Sequence, residues 1–132
     1  MKRWAILAMA IWLLVILGGV AYAVTLTPQT ITTTGLVVTP VTATDTAYEF
    51  NNTGREFIYI NNAYTDTLNY TITIPGTVGG YALEDITGSV VSGTAKYIGP
   101  FNPVYANAAD GNVDFTIDII DGNITLAILR LP

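Results

Sequence analysis

Residues 112–131 read NVDFTIDIIDGNITLAILRL, and the alternation in this stretch decides the fold class. In an extended chain Val113, Phe115 and Ile117 fall on one side, with Asp114, Thr116 and Asp118 on the other; Ile124, Leu126 and Ile128 repeat the pattern. A period of two is the signature of a half-buried strand. Between the runs stands Asp121-Gly122. An Asp-Gly pair supplies the positive φ angles of a type I′ turn, so the stretch predicts a β-hairpin at the end of the chain.

Working outward, NYTITIP at 69–75 places Tyr70, Ile72 and Ile74 on one face and Thr71 and Thr73 on the opposite one. Strands are also expected over 25–33, 35–39, 55–61, 86–91 and 95–98. Turn pairs separate these runs, among them Asn61-Asn62, Pro75-Gly76, Gly79-Gly80, Ser92-Gly93 and Asp110-Gly111. Pro, Gly and Thr interrupt every candidate for a long helix after residue 24. Seven or eight short strands at this spacing predict an all-β domain, an antiparallel β-sandwich or jelly roll, over residues 24–132.

The chain before it is different in kind. MKRWAILAMAIWLLVILGGVAYAV opens with Lys2 and Arg3, continues in apolar or small residues to Val24, and holds Ala21-Tyr22-Ala23 as an A-x-A pattern. Those are the three parts of a secretory signal peptide, cut after Ala23. A hydrophobic helix of about 21 residues would also span roughly 31 Å, enough for a bilayer core. Residues 1–23 are therefore a cleaved leader, a retained membrane anchor touching lipid through residues 4–24, or a hydrophobic helix buried in an assembly, as in a pilin-like filament. Under the first two readings the domain lies outside the cytoplasm.

Composition narrows the chemistry. The 132 residues contain no Cys and no His, which removes the commonest zinc ligands, thiol nucleophiles and imidazole bases and leaves carboxylates, hydroxyls and backbone groups. Beyond residue 23 ten acidic residues face only Arg55, Lys96 and Arg130, a net charge of −7. A surface of that sign repels phosphate backbones and speaks against a nucleic-acid partner.

The carboxylates invite two further readings. Asp110, Asp114, Asp118, Asp121 and Asn123 could supply oxygens to calcium, as could Glu84-Asp85. The spacing is not that of an EF-hand, and Asp114 and Asp118 on one strand face lie about 13 Å apart. Turn formation and solvent-facing strand positions account for these residues better. A glycosidase pair would need two acids about 5 to 10 Å apart across a cleft, and a domain this small with short loops leaves little room for one. No catalytic residue, cofactor or metal site is expected. Tyr64, in the NNAYTDT loop, is the best-exposed aromatic for a glycan contact. Sequons stand at Asn51, Asn69 and Asn123, permissive for surface glycosylation.

In YIGPFNPVY at 97–105, Gly99-Pro100 sets a corner after a strand, and Phe101, Pro103 and Tyr105 present apolar area beside it. Either Phe101 plugs the end of the sandwich or the corner packs on a neighbouring subunit. The first strand, with Leu26, Gln29 and Ile31 alternating with threonines, is the segment expected to exchange between subunits, because an unpaired sheet edge accepts a strand from another chain.

From residue 24 to the end the chain resembles the small tailed-phage structural proteins encoded in head-gene clusters, some of them head-decoration or minor capsid proteins. The resemblance is carried by TLTPQTITTTGL, YEFNNTGREFIYINNA, LNYTITIPGTVGG, AKYIGPFNPVYANAADGNVDFTI and NITLAILRL, in that order. It implies a non-enzymatic virion protein that self-associates or binds a viral capsid protein and reinforces the shell. A secreted cell-surface or extracellular filament subunit is the alternative that the leader favours, and a glycan-binding module is the third.

Overall fold

The structure is a computed structural model that describes residues 22–132. The expectations for residues 1–21, whether leader, anchor or buried helix, lie outside the described residues. Among the described residues the chain is all-β, as expected, with one 3-10 turn at Pro103–Tyr105. Twelve strands are formed: β1 (Val24–Thr25), β2 (Pro28–Thr30), β3 (Val41–Thr42), β4 (Ala47–Asn51), β5 (Glu56–Asn62), β6 (Leu68–Thr73), β7 (Thr77–Val78), β8 (Tyr81–Ala82), β9 (Ile86–Val90), β10 (Thr94–Ile98), β11 (Asn112–Ile117) and β12 (Ile124–Arg130).

They build a β-sandwich-like pair of sheets. The first has the order β1-β4-β11-β6-β9, and the second β10-β5-β12, with β2 and β3 lying end to end along the remaining edge of β12. A small hairpin, β7-β8, stands apart. The pleat sends alternate side chains to opposite faces of a strand, so each sheet contributes one apolar set to the shared core. The first sheet supplies Tyr48, Phe50, Leu68, Tyr70, Ile72, Val113, Phe115 and Ile117; the second supplies Ile58, Ile60, Ile124, Leu126 and Ile128. Tyr48 stacks on Phe115 at 5.4 Å between ring centroids, and Phe50 meets Phe115 and Phe101 at 6.2 and 5.8 Å. Such offset and tilted pairs contribute about 0.5–1.5 kcal/mol each beyond the area they bury.

The face assignments read from the alternation at 70–74, 113–117 and 124–128 hold. The hairpin does not. β11 lies in the first sheet between β4 and β6, whereas β12 lies in the second between β5 and the β2/β3 edge. Residues 118–123 cross from one sheet to the other, and Gly122 does not take a positive φ. Asp121 instead makes an Asx turn: its Oδ1 accepts from the Asn123 N–H at 2.8 Å, and its carbonyl accepts from the Ile124 N–H at 3.1 Å. Two alternating runs joined by Asp-Gly fit a hairpin locally; each strand instead pairs with strands far away in the chain.

The expected strand over 25–33 is split as well. β1 pairs in parallel with β4 and β2 in parallel with β12, so the arm passes from the edge of one sheet to the edge of the other, with Leu26 turned into the core between them. Pro28 has no N–H to donate and opens the second piece, the position where an edge strand tolerates proline. The expected strand over 35–39 is absent. The β12 edge is already occupied, so this segment runs outside it, held where the Gln29 side chain donates to the Thr39 carbonyl at 2.9 Å and accepts from the Thr39 N–H at 3.0 Å.

Buried polar side chains fasten the loops. Asn62 donates to the carbonyls of Asp66 and Val90 at 2.8 and 2.9 Å and accepts from the Tyr64 N–H. Asn52 donates to the Phe101 carbonyl at 3.2 Å. Among the described residues no buried side-chain nitrogen or oxygen lacks a partner, as a low-dielectric core requires.

Candidate functional site

The residues singled out for assembly divide three ways. Leu26 and Phe101 are buried in the chain's own core, Ile31 and Tyr105 are half-buried, and Pro103 is exposed. Of the two readings of the Gly99-Pro100 corner, the plug describes Phe101: its ring packs on Phe50, and it presents no surface to a neighbour. Gly99 holds φ at 129° across a cis peptide to Pro100, and a Cβ there would lie 2.8 Å from the Glu56 carbonyl oxygen. Tyr64 is not the free-standing ring expected of a glycan contact. The Asn62 carboxamide draws its backbone inward, and the ring packs against the core cluster.

Most of the carboxylates are engaged by hydrogen bonds within the chain. Asp45 accepts from Thr46 and Ala47, Asp85 from the Ile74 N–H, Asp110 from the Asn112 N–H, and Asp118 from the backbone and side chain of Asn69. Among the described residues no group of three or more His, Cys, Asp or Glu is placed to hold a metal ion. Asp114 stands directly opposite Glu49 on the outer face of the first sheet. Partial burial, then the charges of Glu49 and Asp110, push its carboxyl above the usual range. The same face carries Thr25, whose hydroxyl donates to Glu49, with Ala47, Asn51, Asn69, Thr71, Thr73, Thr87, Ser89, Asn112 and Thr116, a largely polar surface that includes two of the three sequon asparagines.

A concavity of about 510 Å³ opens at one end of the sandwich between the loops that carry Asn52, Gly76, Pro103, Val104 and Asn107. Asn52 and Asn107 line it together with prolines, glycines, alanines and Val104, and no ionisable residue does.

The outer face of the second sheet is of the opposite character. The strand pleat turns Phe57, Tyr59 and Asn61 of β5 outward, with Tyr97 of β10 beside Tyr59 and with Leu129, Ala127 and Thr125 of β12 beside Phe57, Tyr59 and Asn61; of these Ala127 and Leu129 are buried. Tyr59 and Tyr97 rings meet at 5.1 Å. Ile31, Phe57, Tyr97, Leu129 and Leu131 line an apolar depression of about 220 Å³ in this face. Tyr97 is 64% exposed and Leu131 40%. Glu56 and Arg130 face inward and pair with each other, and Lys96 turns toward β9; Arg55, exposed and bonded through its carbonyl to the Leu131 N–H, stands at the margin of this face just before Phe57.

Of this surface, sequence reasoning placed only Ile31 among the assembly contacts, and took Tyr59 as core or interface. The signal was present in EFIYINN, where both alternate sets are apolar, and in the unbroken run Leu126–Leu129, the composition of a strand with two apolar faces. Reading one face as core left the other set unexplained. Compared with known protein families, curated proteins and solved structures, the chain matches none.

Proposed function

We propose that the chain is a non-enzymatic structural subunit of a virion, a head-decoration or cement-like protein that works by subunit contacts. The observation that carries this reading is the two-faced sandwich: one outer face polar and acidic, the other with a partly exposed apolar patch of Phe57, Tyr59, Tyr97 and Leu131. Contiguous exposed apolar area of that kind marks an interaction surface. The wrapping of the chain supports the same reading. Taking β3 as the first strand, the orders β3-β12-β5-β10 and β4-β11-β6-β9 are those of an eight-stranded jelly roll, an architecture shared by viral capsid domains. Fold alone does not imply function, so the face carries more weight than the wrapping. The resemblance over residues 24–132 to tailed-phage head proteins points the same way.

A secreted surface or filament subunit is the second reading, favoured by the leader-like start with its A-x-A pattern. One measurement separates the two: the intact mass of the chain in particles pelleted from its native source. Full-length chain, co-pelleting with shell proteins, is the expected result for a virion component that keeps its apolar segment. A mass matching residues 24–132 in fibres or cell envelopes would move the protein to the surface reading. Recovery only as free soluble chain would overturn both.

A further inference from the structure

We propose that Asn51 is the acceptor of an Asn-linked oligosaccharide, carried on the polar outer face of the first sheet. The inference goes beyond the subunit reading and rests on the export that the leader-like start implies, since such sugars are added to exported chains. Three N-x-T sequons stand in the chain, with Asn52, Tyr70 and Ile124 at their middle positions. The sequence treats them alike; the fold does not.

Asn51, Asn69 and Asn123 are all exposed, but their carboxamides are differently engaged. Asn69 Nδ2 donates to Asp118 Oδ2 at 2.6 Å while the Asn69 N–H donates to the other carboxylate oxygen at 2.8 Å, a clasp between β6 and the chain leaving β11. Asn123 Nδ2 donates to Asp121 Oδ1 at 2.8 Å inside the turn that leads into β12. Asn51 is the last residue of β4, in register with Asn112. No hydrogen bond within the described residues engages its carboxamide, and its Nδ2 stands beside Gly111, where a Cβ would lie 3.4 Å away. Attachment replaces one of the two Nδ2 hydrogens with a bulky, solvated group. At Asn69 and Asn123 that group competes with a carboxylate contact. At Asn51 no contact is lost.

Thr53 completes the sequon and is exposed, yet in the folded chain its hydroxyl donates to Glu56 Oε1 at 2.8 Å. A transferase that reads the hydroxyl must therefore act before the turn between β4 and β5 closes. The donor is an oligosaccharide linked to a polyprenyl phosphate. Its anomeric carbon bonds to Asn51 Nδ2 as the bond from that carbon to the phosphate oxygen breaks; the phosphate leaves with the electron pair, and the nitrogen releases one proton to a base of the transferase. The sugar then keeps this face in solvent and out of subunit contacts.

The test is peptide mapping of the chain isolated from its native source. The peptide containing residues 51–53 is expected to carry the mass of an oligosaccharide, placed on Asn51 by electron-transfer fragmentation. Made in the native host, Asn51→Gln should fold as the parent does and lose that mass. Thr53→Val should lose it too, and Thr53→Ser, which keeps a hydroxyl, should retain it. A bare Asn51 in the exported chain would overturn the assignment, as would sugar on Asn69 or Asn123 with Asn51 unmodified. A full-length, bare chain in particles would overturn the export and this inference with it, while the subunit reading stands. A chain glycosylated at Asn51 that enters no particle would sustain the inference and overturn the subunit reading.

Discussion

Glu56 is fully buried, and four donors justify its place. The Thr53 N–H and hydroxyl donate to it at 2.6 and 2.8 Å, the Arg55 N–H donates at 3.0 Å, and the Arg130 guanidinium completes the set. Burial opposes ionisation; the hydrogen bonds from Thr53, Arg130 and Arg55 outweigh it and hold the carboxyl below its ordinary value of 4.5. A depressed carboxyl contributes stability above its unfolded pKa and loses it as pH falls through the folded one. Denaturant midpoints should therefore decline as pH drops below about 4.5, and Glu56→Gln should flatten that dependence. At neutral pH the same variant should cost about 2–4 kcal/mol, because it leaves Arg130 and the turn N–H groups poorly matched. A Glu56→Gln protein with wild-type stability at pH 7 would count against this account. The role was not legible beforehand: Glu56 and Arg130 are 74 residues apart in sequence, and only the register that places them opposite each other in β5 and β12 brings them together.

At the scale of the element, the two open sides of the sandwich are closed by different devices. On one side the arm lays β1 and β2 along the sheet edges and drops Leu26 between them. On the other, Tyr70 lies across Gly88 of β9, and Lys96 from β10 sits 5.6 Å above its ring while donating to the Ser89 carbonyl at 3.1 Å. Glycine inside a strand weakens it unless something approaches closely, and here the approaching group is the Tyr70 ring. Any side chain at position 88 would collide with that ring. Gly88→Val is therefore expected to destabilise the fold by about 2–3 kcal/mol through overpacking, despite the better strand propensity of valine. A thermal midpoint equal to or above wild type would refute the packing argument. The glycine's partner was invisible in the sequence, since GSV reads as a weak strand with no hint of the ring above it.

For the whole molecule, one core cluster spans both sheets, and the arm, the Phe101 corner and the Tyr64 loop all pack against it. A small domain with one continuous core unfolds as a unit. Far-ultraviolet and near-ultraviolet circular dichroism should therefore give coincident thermal transitions. Separate transitions would mean that the sheets are independently stable. Single-unit folding also matters for assembly, because a face is useful as a contact only when the sheet behind it is rigid. The second sheet meets that need through β12, paired along both edges.

Sequence by itself determined the all-β class, the faces of β6, β11 and β12 and the lack of imidazole and thiol groups, because alternation and composition are properties of single segments. It did not determine which strands pair. The Asp121-Gly122 turn joins two sheets instead of a hairpin, the arm divides between edges, and Leu26, Tyr64 and Phe101 pack inward. Only the tertiary structure decided these, since a strand edge is satisfied by whichever partner best matches its apolar face, and in a wrapped sandwich that partner is far away in the chain. The same reason explains the candidate surface. Phe57, Tyr59, Tyr97 and Leu129 are scattered over 73 positions, and the registers of β10, β5 and β12 alone make them one face.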